Sequence, residues 1–317
     1  MEKHLQLAPM QAMTDIFFMN SYHQIFGGFT EMMAPYLLAS SNSPIKVQNL
    51  QKYFSKLNPG IKLIPQLLSN DATGFLHYAN LLYDLGFDKI NWNLGCPFPF
   101  VTKKKRGAGL LPYPDKIQEV LDNIFPELKA KLSIKVRLGL NHSDEIRPLI
   151  DTFNNYPIDE LIIHPRTALQ KYEGKADREA FAEIFPKIKM PVIYNGDILR
   201  KEQVIETETD HPTIKGFMIG RGAFINPFIT NQINGIEFTE QEKINKYSQL
   251  YWELHQHYKG KTKNDEGFLS RMKELWKYFA QSFEKGDTYL FALKTINQIN
   301  VFEDSVKRIF ETGKLVY

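Results

Sequence analysis

The chain has 317 residues, 43% of them hydrophobic, and a formal net charge of +3. That length holds one domain of about 200–250 residues and a smaller one. A charge so small excludes nucleic-acid binding argued from totals alone, no run approaches the ~18 apolar residues of a membrane helix, and the first residues lack a signal peptide's apolar core.

From residue 5 onward the pattern is strand, then helix, repeated. Short apolar runs predict strands at 5–10, 29–33, 62–67, 89–93, 133–138, 160–164, 191–194 and 216–219, each read as buried on both faces. Helical patterns lie between them. One opens at Asp71 and closes at Gly86; others cover 115–124, 143–153, 177–188 and 201–207. This alternation predicts a closed (β/α)8 TIM barrel. No Gly-x-Gly-x-x-Gly follows the first strand, which argues against an open dinucleotide-binding sheet.

After Pro227 the strand signals stop. Thr239-Glu240-Gln241-Glu242 forms a capping box that opens a helix running to about 258 and ended by Gly260. Further helices are predicted at 266–283, 289–299 and 302–311. The expected organisation is an α/β barrel over 1–235 and an all-helical C-terminal domain over 236–317.

Distinctive residues follow the barrel strands. The only cysteine, Cys96, stands in Asn93-Leu94-Gly95-Cys96-Pro97, where Gly95 and Pro97 force a turn after a strand. A lone thiol cannot form an intramolecular disulfide or a cysteine metal cluster. Its place at a strand's C-terminal end is where barrel enzymes gather their chemistry. Lys135 lies inside the apolar strand Ser-Ile-Lys-Val-Arg-Leu-Gly, a costly position unless its ammonium meets an anion. Strand six ends in His164-Pro165-Arg166-Thr167, with Tyr172 beyond. The last two strands end in Asn195-Gly196-Asp197 and Gly220-Arg221-Gly222, a pattern suited to phosphate.

Taken in order, Leu-Ala-Pro-Met…Thr-Asp, Asn-Leu-Gly-Cys-Pro, Ile-Lys-Val-Arg-Leu-Gly, His-Pro-Arg-Thr, Tyr-Asn-Gly-Asp-Ile and Met-Ile-Gly-Arg-Gly resemble the tRNA-dihydrouridine synthase family, over about 7–227. The segment Arg271-Met272-Lys273-Glu274-Leu275-Trp276 is similar to that family's tail helix. The resemblance implies an FMN-bound barrel that reduces the C5–C6 bond of selected uridines in tRNA, with NADPH or NADH as reductant. By the same resemblance Cys96 is the proton donor. Pro9, Met10, Gln11, Gln66, Lys135, His164, Asn195, Gly196, Asp197, Gly220 and Arg221 are the FMN contacts. Asn93 and Tyr172 lie near the target uridine, and Arg271 contacts tRNA. Lys135 is expected at the negative N1–C2=O edge of the reduced ring, with Gln66 bonding the same edge.

The chain departs from the family pattern at Gln11-Ala12-Met13 and at Phe98-Pro99-Phe100, the latter followed by the basic run from Lys103 to Arg106. Two other functions fit parts of the sequence: a flavin reductase of a small pyrimidine or enone, and a non-catalytic tRNA-binding barrel. The protein is expected to be a cytoplasmic monomer with no membrane partner and no metal. Scarce cysteine accords with a reducing compartment.

Overall fold

The computed structural model describes residues 3–41 and 46–317. Ten strands form within it: β1 (Leu5–Leu7), β2 (Glu31–Met33), β3 (Leu37–Leu38), β4 (Leu63–Ile64), β5 (Gln66–Leu68), β6 (Lys89–Leu94), β7 (Lys131–Gly139), β8 (Glu160–Thr167), β9 (Val192–Tyr194) and β10 (Gly216–Ile219). All their pairings are parallel, in the order β3-β5-β6-β7-β8-β9-β10-β1-β2-β4. Every expected strand is present.

The expected third strand is split into β4 and β5 at Pro65, which has no N–H to give to a ladder. The pieces pair on opposite sides, β4 with β2 and β5 with β6. β4, at one end of the strand order, is thus joined through Pro65 to β5, next to the other end, and the sheet closes on itself. The Pro65 carbonyl carries the seam by accepting from the Asn91 N–H at 2.9 Å. Strand β3 is an unexpected short addition beside β5.

Closure explains the burial pattern. Every residue of β6 and β8 is buried, because one face packs on helices and the other fills the barrel. Ala8, just past β1, and Met33, Ile64, Ile162, Ile193 and Met218, from five strands, make a buried cluster of their own in the barrel interior. The N-terminal ends of the strands are closed by charge. Gln6 Nε2 donates to Glu31 at 2.8 Å and to Glu160 at 2.7 Å, while Lys62, Lys89 and Lys215 neutralise the two carboxylates.

The chain from Glu240 to Thr312 is helical: Glu240–Lys261, Asp265–Phe279, Gly286–Thr295 and Ile299–Thr312, with a short 3-10 turn at Ala280–Ser282. Thr239 and Glu242 make the expected reciprocal cap. The first of these helices runs through Gly260, since one glycine costs only about 1 kcal/mol in a helix. Tyr247, Tyr251, Trp276, Phe279 and Phe310 pack its core. The helices dock on the barrel through Tyr247 Oη, which donates to the Phe224 carbonyl at 2.8 Å, and Lys246 Nζ, which donates to the Ile25 carbonyl at 3.0 Å. Among the described residues no helix is long and apolar enough to cross a membrane.

Candidate active site

At the C-terminal ends of the strands lies an open cavity of about 200 Å³. Residues from both ends of the barrel sequence line it, among them Pro9, Met10, Gln11, Asn93, Cys96 and Lys135. His164, Tyr172, Asn195, Gly196, Asp197, Gly220 and Arg221 complete the set of sequence-predicted residues in the wall. Gln66 and Arg271 are not in it.

The turn that presents Cys96 is built by a side chain. Asn93 Oδ1 accepts from the Gly95 N–H at 3.0 Å and the Cys96 N–H at 2.9 Å. Asn93 Nδ2 donates to Gln66 Oε1 at 2.7 Å, and Gln66 Nε2 donates to Asn91 Oδ1 at 2.7 Å. Gln66 thus lies behind the wall, fully buried, and orients the residue that shapes the cysteine turn. Gly107 packs on the other side with φ +55°; a Cβ there would stand 2.8 Å from Cys96 Cβ. Cys96 is buried, and burial pushes its thiol above the usual range, opposed by hydrogen bonds from the Phe98 backbone and the Tyr36 hydroxyl and by the charges of Arg137 and Lys135. Burial and the neighbouring sulfur raise Tyr36 in turn to about 12.

The cavity is strongly cationic. Lys135, Arg137 and Arg221 face Asp197, the only carboxylate in its wall among the described residues. Asp197 is already taken: it accepts from Arg166 at 2.6 Å, Arg221 at 2.7 Å and the Ala176 N–H at 2.8 Å. Burial, with Arg137 nearby, lowers the Lys135 ammonium to about 7; among the described residues it has no carboxylate partner. His164 is held well below its ordinary range by burial and by Arg137, Lys135, Arg166 and Arg221. Arg166 can only donate, and its Nη1 lies 3.1 Å from His164 Nε2. The neutral ring therefore accepts at Nε2 and carries its proton on Nδ1. Tyr172, half exposed at the mouth, is flanked by the guanidinium carbons of Arg137 and Arg221, 5.4 and 5.2 Å from its ring centre.

Arg271 is committed elsewhere. Its guanidinium donates to the Ala12 carbonyl and, at 2.8 Å, to Tyr258 Oη, whose ring it covers at 4.2 Å. Tyr258 Oη donates to Asp15 at 3.3 Å. Two turns further along the same helix, Tyr278 enters the cavity wall. Sequence reasoning missed Tyr36, Arg137 and Tyr278 as wall residues. Arg137 was visible two residues from Lys135, and Tyr278 seven residues from Arg271, on the same helix face; Tyr36 carries no motif.

A comparison with protein families matches residues 6–312 to the Dihydrouridine synthase (Dus) model. The chain belongs to the dihydrouridine synthase family. Among curated relatives, tRNA-dihydrouridine synthase B of Pasteurella multocida is 27% identical over 274 residues, covering 81% of this chain and 79% of that one. The tRNA-dihydrouridine(16) synthase of Neisseria meningitidis serogroup A is 27% identical over 321 residues, covering 96% and 92%. Tail as well as barrel lies within the family match. Among solved structures, histamine dehydrogenase from Rhizobium sp. 4-9 gives a TM-score of 0.57 at 12% identity, over 73% of this chain and 45% of its own. A 2-naphthoyl-CoA reductase gives 0.54 at 12% identity, over 74% and 50%. This chain spans about half the length of those two, and the likeness is one of fold. For a dihydrouridine synthase family member, a redox cofactor must be held, and the wall fits an anion: three cations, one of them the Lys135 ammonium with no carboxylate partner among the described residues, and one neutralised carboxylate.

Proposed function

We propose that this protein is an FMN-dependent tRNA-dihydrouridine synthase that reduces the C5–C6 bond of uridine in tRNA, with NADPH or NADH as reductant. The observation that carries this reading is one cavity shared by a buried thiol, Cys96, and an unpaired ammonium, Lys135. Bound flavin mononucleotide supplies the hydride that uracil accepts at C6.

Cys96 performs the other half of the reduction. The C5=C6 bond is conjugated to the C4 carbonyl, so charge develops at C5 and O4, and a thiol held on a rigid turn gives a proton to C5. Burial keeps that thiol protonated at neutral pH. Lys135 stabilises negative charge on the flavin ring, and neutral His164 offers an Nδ1–H donor beside it. The loops at Asn195-Gly196 and Gly220-Arg221 serve the flavin phosphate, with Asp197 keeping Arg221 in place. Pro9, Met10 and Gln11 close the near wall. Tyr172, held between two guanidinium groups, is a face on which an extruded uracil can stack. The helical region over 236–317 supplies further tRNA surface. A substrate of this kind implies a cytoplasmic enzyme.

Mapping dihydrouridine in tRNA from cells with and without the protein tests the reading. One or more positions lose dihydrouridine in its absence, and the purified protein is yellow. An unchanged map from a colourless protein defeats the proposal.

A further inference from the structure

The segment after Cys96 carries a feature that flavin and uracil do not use. Phe98 and Phe100 stack on each other with ring centres 5.7 Å apart and planes at 12°. They are nonetheless 41% and 65% exposed. Large apolar faces left in water cost free energy unless something covers them. The residue next to them, Val101, is buried at 3% and packs with Leu68 and Cys96. One short turn therefore sends one apolar side chain into the core and two aromatic ones out.

The turn is rigid. The Thr102 N–H donates to the Phe98 carbonyl at 3.0 Å and the Lys103 N–H to the Pro99 carbonyl at 3.0 Å. Asn70 clamps its far side, donating to the Lys104 carbonyl at 3.1 Å and accepting from Arg106 Nε at 3.0 Å. Phe98 also lines the cavity, two residues from Cys96, whereas Phe100 does not. The aromatic surface is thus continuous from the cavity to the outside. Lys103, Lys104 and Lys105 are exposed beside it, and among the described residues none is ion-paired.

We propose that Phe98 and Phe100 form a stacking platform for the nucleotide adjacent to the target uridine, with Lys103, Lys104 and Lys105 meeting the flanking phosphates. This rests on the reading that the cavity takes a uridine of tRNA. When a uridine leaves its stack, its neighbour loses a partner. A flat, preorganised aromatic face beside the cavity mouth replaces it, and ammonium groups without a carboxylate partner, Lys105 lying 4.4 Å from the Tyr113 ring centre, suit the adjoining backbone. An acidic peptide would use the lysines but leave the two ring faces unused. Stacking strength grows with ring area, so a purine is favoured at the adjacent position.

The test uses Phe100→Ser and Phe100→Trp in the full-length flavoprotein, leaving the cavity wall untouched. Phe100→Ser should weaken tRNA binding and raise KM by about tenfold, with kcat, flavin content and NAD(P)H oxidation in the absence of tRNA unchanged. Phe100→Trp should restore binding. Replacing the adjacent nucleotide by an abasic one should weaken binding to the parent protein but add little to Phe100→Ser. Parent-like tRNA affinity in Phe100→Ser, or an abasic penalty equal in both proteins, overturns the platform while leaving the enzyme reading intact. A parent protein that forms no dihydrouridine overturns both.

Discussion

The guanidinium of Arg271 holds the carbonyl of Ala12. Ala12 sits at φ +62°, a backbone region that residues with a Cβ seldom enter. It belongs to the loop after β1, whose Pro9, Met10, Gln11 and Met13 line the cavity. A helix of the C-terminal region thus fixes the shape of a loop in the cavity wall.

Arg271→Ala should therefore weaken flavin retention severalfold and lower stability by about 1–2 kcal/mol, the scale of a lost charge-assisted hydrogen bond. Flavin titration and thermal melts measure both. If Arg271 instead contacts tRNA, the substitution raises KM for tRNA and leaves flavin affinity alone.

Cys96→Ala should keep the flavin and lose dihydrouridine formation by about 10²- to 10⁴-fold, the scale of one positioned proton donor. Its pH profile has a definite sign. Burial raises the thiol, so the donating form persists through neutral pH and activity falls only as the thiol ionises on the alkaline side. Tyr36 keeps its own proton, near 12, and its hydrogen bond favours the thiolate. Tyr36→Phe should shift the alkaline limb of kcat/KM to higher pH. A limb that stays in place or moves down removes Tyr36 from this role.

Lys135 gives a second pH dependence, of opposite character. Its ammonium is lowered to about 7 in the folded protein, against roughly 10.4 when unfolded. Below pH 7 both states carry the charge and the folded one bears its burial. Between pH 7 and about 10 the unfolded chain binds more protons, so this group's contribution to stability rises with pH. An anion in the cavity restores the charged form. Flavin binding should therefore take up protons above pH 7 and weaken as pH rises, which calorimetry in buffers of different ionisation enthalpy detects. Lys135→Met should raise the melting temperature of the flavin-free protein at pH 6–7 and impair flavin retention. A flavin affinity flat from pH 7 to 9 contradicts this account.

Gly107→Ala places a Cβ 2.8 Å from that of Cys96 at a φ of +55°. The strain should cost about 1–3 kcal/mol and displace the thiol, so activity falls further than flavin content does. Paired activity and absorbance measurements separate the two effects.

Much of the barrel was legible because each buried strand is a short apolar run and each run ends in a distinctive residue. The break at Pro65 passed unread, since the run at 62–67 looks continuous until pairing on both sides is known. The helix Ile16–Ile25 also escaped. Its buried residues Phe18, Met19, Tyr22 and Ile25 do recur at helical spacing, and it packs against the helix Glu240–Lys261. Phe17 stacks on His257 of that helix at 3.6 Å. Roles that depend on distant partners were the least legible. Gln66 follows its strand and was expected at the cofactor; its amide bonds Asn93 and Asn91, partners distant in sequence. Arg271 reads as a free basic residue until Ala12 is found beneath it.

Tyr278 completes a wall whose other parts come from the barrel. On the ribosome, every barrel strand emerges well before that tyrosine does. A nascent chain released at the end of β10 would have a cup with a missing side, so a complete cavity forms only with the helices that follow. Shortening the chain from the C-terminus should accordingly bleach the protein as well as loosen its hold on RNA.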